Sequence, residues 1–184
     1  MELKDVGTDI EKVLYSKEQL DVRLAQMGAE ISQDYEGEDL LLVGVLKGAI
    51  MVVADLSRQI SIPLAMDWMA VSSYGAGTKS SGVVRILKDL NEDLSGRNVL
   101  IVEDIIDSGL TLAWLKNNLE SRGAKSVKIA TMLRKPDALK VEIDVDYVGF
   151  DIPNEFVVGY GLDYAENYRH LSFVGTLAPH VYGG

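Results

Sequence analysis

The run Leu40-Leu-Leu-Val-Gly-Val-Leu46 constrains this chain more than any other segment. Seven residues without a polar side chain leave no face for water, so a strand here must be covered on both sides, as in a parallel sheet. The run is far shorter than the roughly 20 apolar residues of a membrane helix. Lys47-Gly48 ends it, and residues 49–60 then have helical composition until Pro63 bars continuation. Further strands are predicted at 64–71, 83–87, 98–102, 126–133 and 146–150, with a short one at 156–159. Ser16 and Gln19 have capping-box form, and Leu20, Leu24, Met27 and Ile31 follow at helical spacing, which predicts a helix over 17–35 ending near Gly37. Leu112, Leu115 and Leu119 mark another over 108–122, with Gly123 placed to end it. Residues 1–15 read as an irregular lead-in with a strand near 10–15, and the Gly-rich stretch 72–82 reads as a loop. Strands alternating with helices give an α/β fold with a mainly parallel central sheet flanked by helices. Ligands of such folds bind at the carboxyl ends of the strands. The loops starting at Lys47, Glu103, Arg134 and Asp151 are therefore where chemistry is expected.

Composition removes several classes of chemistry. There is no cysteine, which excludes disulfides, thiolate metal sites and cysteine nucleophiles. Only His170 and His180 offer imidazole, so oxygen-bound Mg²⁺ is the expected metal, and both histidines read as structural or surface groups. A net charge of −10 argues against nucleic acid as a partner. Residues 1–12 are acidic with no apolar h-region, so no signal peptide is expected, and neither is a membrane segment. A cytoplasmic, globular protein without internal repeats is the expectation. No P-loop and no Gly-x-Ser-x-Gly elbow occurs. Gly75-Ala-Gly77 begins like a dinucleotide fingerprint but lacks the third glycine and precedes a strand. Trp68 and Trp114 read as core or interface residues.

The most informative segment is Val99-Leu-Ile-Val-Glu103-Asp104-Ile-Ile-Asp107-Ser108-Gly109-Leu110-Thr111. An apolar strand delivers two acids to its carboxyl end, where bare carboxylates are costly unless hydroxyl donors or a cation meet them. A third acid follows, and then small and hydroxyl residues open a helix, whose free N–H groups and dipole favour phosphate. Adjacent hydroxyls at one end and a phosphate at the other describe a ribose 5-phosphate. Asp107-Ser108 alone is equally consistent with an ordinary helix cap; the full string is not.

This string resembles the phosphoribosyl pyrophosphate (PRPP) motif of the type I phosphoribosyltransferases. Leu46-Lys47-Gly48, Ser73-Tyr74, Arg134-Lys135-Pro136, Val148-Gly-Phe-Asp-Ile-Pro153 and Phe156-Val-Val-Gly-Tyr-Gly-Leu-Asp163-Tyr164, followed by Tyr168-Arg169, are similar to the hypoxanthine-guanine branch in the family's order. The resemblance implies transfer of the phosphoribosyl group to N9 of hypoxanthine or guanine, giving IMP or GMP and pyrophosphate. It places Glu103 and Asp104 on the ribose hydroxyls and near Mg²⁺, with Asp107 as general base or acid at purine N7. Asp107, Ser108, Gly109, Leu110 and Thr111 would cradle the 5′-phosphate; some relatives carry Lys where Leu110 stands. Lys47, Gly48 and Arg169 would hold pyrophosphate, and the Leu46–Lys47 peptide is often cis in the family. Lys135 would donate to the purine 6-oxo group, Phe156 would stack on the base and Val157 would read its edge. Asp163 would serve a second Mg²⁺ and lie near the exocyclic position of guanine. Ser73 and Tyr74 would belong to a lid.

Plain alternatives stand beside these roles. Lys47 and Arg169 alone would be solvated cations, and Phe156 and Val157 would be sheet core. The resemblance further implies one domain over 1–184, with a core of roughly 37–150 and a small hood from roughly 1–15 and 151–184, assembled as a homodimer or homotetramer. Two competing functions share the scaffold. One is a nucleic-acid-binding regulator that senses PRPP, which needs a basic face this acidic chain lacks. The other is a relative that prefers xanthine or guanine.

Overall fold

The computed structural model describes residues 6–73 and 84–183. The elements in chain order are β1 (Ile10–Tyr15), α1 (Lys17–Asp34), β2 (Leu40–Leu46), α2 (Ile50–Gln59), β3 (Ala65–Ser73), β4 (Val84–Lys88), β5 (Asn98–Ile106), α3 (Leu110–Glu120), β6 (Ser126–Arg134), β7 (Tyr147–Asp151), β8 (Val157–Val158), β9 (Val174–Leu177) and α4 (Pro179–Tyr182). Six strands form a central sheet in the order β4-β3-β2-β5-β6-β7, and three form a small sheet in the order β1-β9-β8. The central sheet is parallel throughout except for β4, which pairs antiparallel with β3 at one edge. The small sheet is antiparallel.

The uninterrupted apolar run of β2 is explained by its two covered faces. Leu40 and Leu42 join a core with Leu20, Leu24, Met27 and Ile31 of α1 and Val52, Val53 and Leu56 of α2. Leu41, Val43 and Val45 join the opposite core with Leu112, Leu115 and Leu119 of α3. This is the two-residue alternation of a strand with both sides buried. β5 behaves likewise, with Leu100 and Val102 on the first core and Val99 and Ile101 on the second. Gly44 interrupts β2 for a packing reason: a Cβ there would stand 2.5 Å from the ring of Trp68, which packs on the first core. The predicted capping box is present, with Ser16 N–H donating to Gln19 Oε1 at 2.9 Å and Gln19 N–H donating to Ser16 Oγ at 3.4 Å.

Three boundaries differ from expectation. β5 does not stop before the acids but continues through Glu103 and Asp104 to Ile106. Its neighbour β6 runs alongside as far as Arg134, opposite Ile106, and so keeps the ladder going. The following helix starts at Leu110 rather than near Ser108, because Gly109 adopts a left-handed φ of 76° and holds Asp107 and Ser108 in a loop. Ser72 and Ser73 extend β3 rather than beginning a loop. The rest of that expected lid, Tyr74 included, falls outside the described residues. β9 and α4 were not anticipated. Among the described residues, no helix is long and apolar enough to cross a membrane.

Candidate active site

The carboxyl ends of β2, β5 and β6 bring most of the sequence-selected residues together. Past the end of β2, the Leu46–Lys47 peptide is cis, as the resemblance implies. The turn that follows lies against the acids of β5: a Cβ at Gly48 would collide with the Asp104 carboxylate. From the other side, Gly161 approaches the same turn so closely that a Cβ there would collide with the carbonyl of Gly48. Gly161 also has φ 101°, a backbone state that side chains resist. Asp104, Gly48 and Gly161 are thus stacked without room for a methyl group between them.

Arg169 is bound into this stack. Its Nη1 donates to the Gly161 carbonyl at 2.8 Å, and Gly161 N–H donates back to the Arg169 carbonyl at 2.9 Å. Its Nη2 lies 2.9 Å from Asp163 Oδ1 and 3.4 Å from Glu166 Oε1. The second oxygen of Glu166 lies 2.9 Å from Lys47 Nζ, so one carboxylate bridges the two cations expected to hold pyrophosphate. Arg169 Nε is buried without a hydrogen-bond partner. Sequence reasoning missed Glu166. Its backbone is left-handed (φ 65°), as are those of Ala165 (49°) and Tyr168 (73°), and this winding turns the acid back toward Lys47. Nothing in the residue's type or spacing marks it out.

Past β5, a cavity of about 170 Å³ is lined by Glu103, Ile105, Asp107, Ser108, Gly109, Thr111 and Leu112. The small residues and the start of α3 line this cavity, where the sequence suggests an anion cradle. Leu110 begins α3 half-buried. A wider cleft of about 550 Å³ adjoins the cradle, sharing Asp107 and Ser108 with it and reaching Asp137, Lys140 and Asn154.

Lys135 follows β6 and is only 8% exposed. Its N–H donates to the Ile106 carbonyl at 2.9 Å, and its Nζ stands 3.6 Å from Asp107 Oδ2. Backbone pairing of the two loops therefore delivers the buried ammonium to the exposed carboxylate. Val157 is buried in β8, opposite Thr176. Phe156 stands just before β8, is 41% exposed, and makes aromatic contacts with Tyr164 and Tyr182. Ser73 is the last residue of β3.

The acids at the end of β5 are strongly desolvated. Burial, with the neighbouring Asp104 carboxylate, pushes Glu103 well above the usual carboxylate range. Burial pushes Asp104 up to about 6, against the pull of its backbone hydrogen bonds and of Arg169, with Asp163 adding to the rise. Two adjacent, desolvated carboxylates need hydroxyl donors or a cation to remain charged. Among the described residues, no group of three or more Asp, Glu or His side chains is arranged to hold a metal alone.

Comparison with known proteins agrees with this geometry. A family model described as a phosphoribosyl transferase domain matches residues 14–165. The chain is 58% identical over 180 residues to a hypoxanthine-guanine phosphoribosyltransferase of Mycobacterium tuberculosis, covering 95% of this chain and 89% of the relative. It is 51% identical over 174 residues to the enzyme of that name from Streptococcus agalactiae, covering 95% and 97%. The crystal structure of a hypoxanthine phosphoribosyltransferase from Staphylococcus aureus superimposes with a TM-score of 0.96 at 44% identity, over the full length of both chains. With that fold, a phosphoribosyl transferase match over most of its length and 58% identity to such a relative, the chain belongs to the hypoxanthine-guanine phosphoribosyltransferase family.

Proposed function

We propose that this protein is a purine salvage enzyme that transfers the 5-phosphoribosyl group of PRPP to N9 of hypoxanthine or guanine. The observation that carries the reading is the Asp107–Lys135 pair at the mouth of the phosphate cradle. A base held there meets a proton acceptor and an obligate donor side by side. The ammonium of Lys135 can only donate, so it accepts a 6-oxopurine and rejects the 6-amino group of adenine. The Asp107 carboxylate takes the N7 proton as N9 attacks the anomeric carbon, and the electron pair of the breaking C–O bond leaves with pyrophosphate. Its charge also favours the oxocarbenium-like ribosyl ring. Ser108, Gly109, Leu110 and Thr111 hold the 5′-phosphate, with backbone N–H groups serving where a lysine is missing at 110. Lys47, Gly48 and Arg169 receive the departing pyrophosphate, Phe156 stacks on the base and Val157 reads its edge.

Glu103, Asp104 and Asp163 outnumber the cations beside them, so PRPP is expected to enter as its Mg²⁺ complex. The carboxylates of Glu103 and Asp104 would meet one ion together with the ribose hydroxyls, and Asp163 a second. Bound Mg²⁺ supplies neutralisation of the phosphate charge. The working assembly is a homodimer or homotetramer in the cytoplasm, with the central sheet as core and the small sheet as hood.

Purified protein given PRPP and Mg²⁺ should turn over hypoxanthine and guanine and leave adenine and uracil untouched, followed by ultraviolet absorbance. EDTA should abolish the signal and added Mg²⁺ restore it; full activity without divalent metal removes Mg²⁺ from the reaction. Turnover of xanthine alone would move the base preference and keep the chemistry. Lys135→Ala should raise KM for hypoxanthine by about 10-fold or more, as for loss of a hydrogen bond from a charged donor. Its effect on PRPP binding by calorimetry should be much smaller; the reverse result would displace Lys135 from the base.

A further inference from the structure

The C-terminal residues 178–182 are tied down by contacts that a loose tail would not make. Ala178 N–H donates to the Asp9 carbonyl at 2.7 Å, and Val181 N–H closes a turn on the Ala178 carbonyl at 3.0 Å. Val181 packs on the apolar cluster that includes Ile10, Val158 and Leu177. Leu177 N–H donates to the Phe156 carbonyl at 3.0 Å, fixing where the tail leaves β9 relative to Phe156. This anchoring sets the Tyr182 ring on the Phe156 ring, with centroids 5.2 Å apart and planes 25° from parallel. Tyr164 stands edge-on to Phe156 at 5.8 Å and 86°, and to Tyr182 at 6.5 Å and 63°. Tyr182 thus covers one face of Phe156, and Tyr164 meets the ring near-perpendicular. Phe156 remains 41% exposed, so the residue is still accessible to a flat ligand.

We propose that Tyr182 is a positioning residue for the purine: with Tyr164 it holds the Phe156 ring from behind, so that the base stacks on the ring's other face. This rests on the reading of Phe156 as the base-stacking residue. A lone phenylalanine at a strand end must give up rotamer freedom when a base arrives, and that cost weakens base binding. Stacked on Tyr182, the ring has given it up already. The contact uses the face of the tyrosine and not its hydroxyl, so phenylalanine serves as well.

The test is steady-state kinetics of the full-length enzyme and its variants, with hypoxanthine and PRPP varied separately. Tyr182→Ala should raise KM for hypoxanthine by about 3–10-fold, the range of one aromatic pair. kcat and KM for PRPP should stay within about two-fold, and Tyr182→Phe should restore the wild-type KM. In a Phe156→Ala background, the further change Tyr182→Ala should add nothing, since the two act as a unit. The proposal is overturned if KM for hypoxanthine does not move or if both KM values rise together. A loss that persists in the Phe156→Ala background overturns it too. A fall in KM for hypoxanthine would show instead that Tyr182 stands where the base should go. Wild-type turnover in the same assay tests the function itself, so its absence is distinguishable from failure of the Tyr182 variants alone.

Discussion

Asp107→Asn is expected to lower kcat by about 10²–10⁴-fold, the range for removing a positioned general acid or base. The substitution keeps the shape of the side chain and deletes its charge and its capacity to take a proton. Little else should change. Asp107 sits in a loop with its side chain 61% exposed, and its ion pair is the 3.6 Å contact with Lys135. The amide oxygen can still face the buried Lys135 ammonium, and the contact is long, so the melting temperature should fall by only a few degrees. KM for PRPP should move only a few-fold, because the cradle is built from the backbone and hydroxyls of the residues that follow. Steady-state kinetics with a thermal melt would check both halves. Turnover close to wild type would assign the N7 proton to another group.

Gly48→Ala is the second change of large effect. The added methyl meets the carboxylate of Asp104, whose own backbone is fixed in the β5–β6 ladder. The turn has to move, and with it Lys47 and the Gly161 segment that carries Arg169. A displacement of about 1 Å at a positioning group can cost 10²-fold, so kcat/KM for PRPP should fall by about 10²-fold or more. Gly161→Ala should behave alike from the opposite side, since its Cβ would strike the Gly48 carbonyl. Gly37→Ala is the control. Like Gly161, and unlike Gly48, it has a positive φ (75°), but it has nothing within 4 Å of the new methyl, so it should cost about 1 kcal/mol in stability and leave kinetics unchanged. Equal kinetic effects of Gly161→Ala and Gly37→Ala would show that backbone strain, and not the close approach to Gly48, governs that side of the site.

The sheet was legible because its strands obey a simple rule. Leu40–Leu46 and the run starting at Val99 are apolar on both faces, and the structure covers both faces. The capping box at Ser16 was legible because it is a local device. What the sequence hid was decided by neighbours far away in the chain. β5 runs past its acids because β6 is there to pair with it. β9 holds Gly175 and no alternation, and it exists because β1 and β8 flank it. The candidate site divides in the same way. Glu103, Asp104 and Asp107 through Thr111 form one contiguous string that can be read directly. Glu166 and Tyr182 are an exposed acid and an exposed aromatic, and only the winding of 160–168 and the anchoring of α4 bring them to Lys47 and Phe156.

The small sheet also sets an order of assembly. β1 pairs with β9, and Thr176 Oγ1 reaches the Lys12 carbonyl across 164 residues of chain. The central sheet needs nothing beyond β7 for its ladder and can close while the last strands are still being synthesised. Among the described residues β8 pairs with β9 alone, so Phe156 and Val157 gain their setting after Val174–Leu177 has found β1. Such long-range pairing is the slow kind. The segment proposed to cradle phosphate therefore lies in the part that can close first, whereas the proposed base platform and Arg169 both wait on the strands that come last.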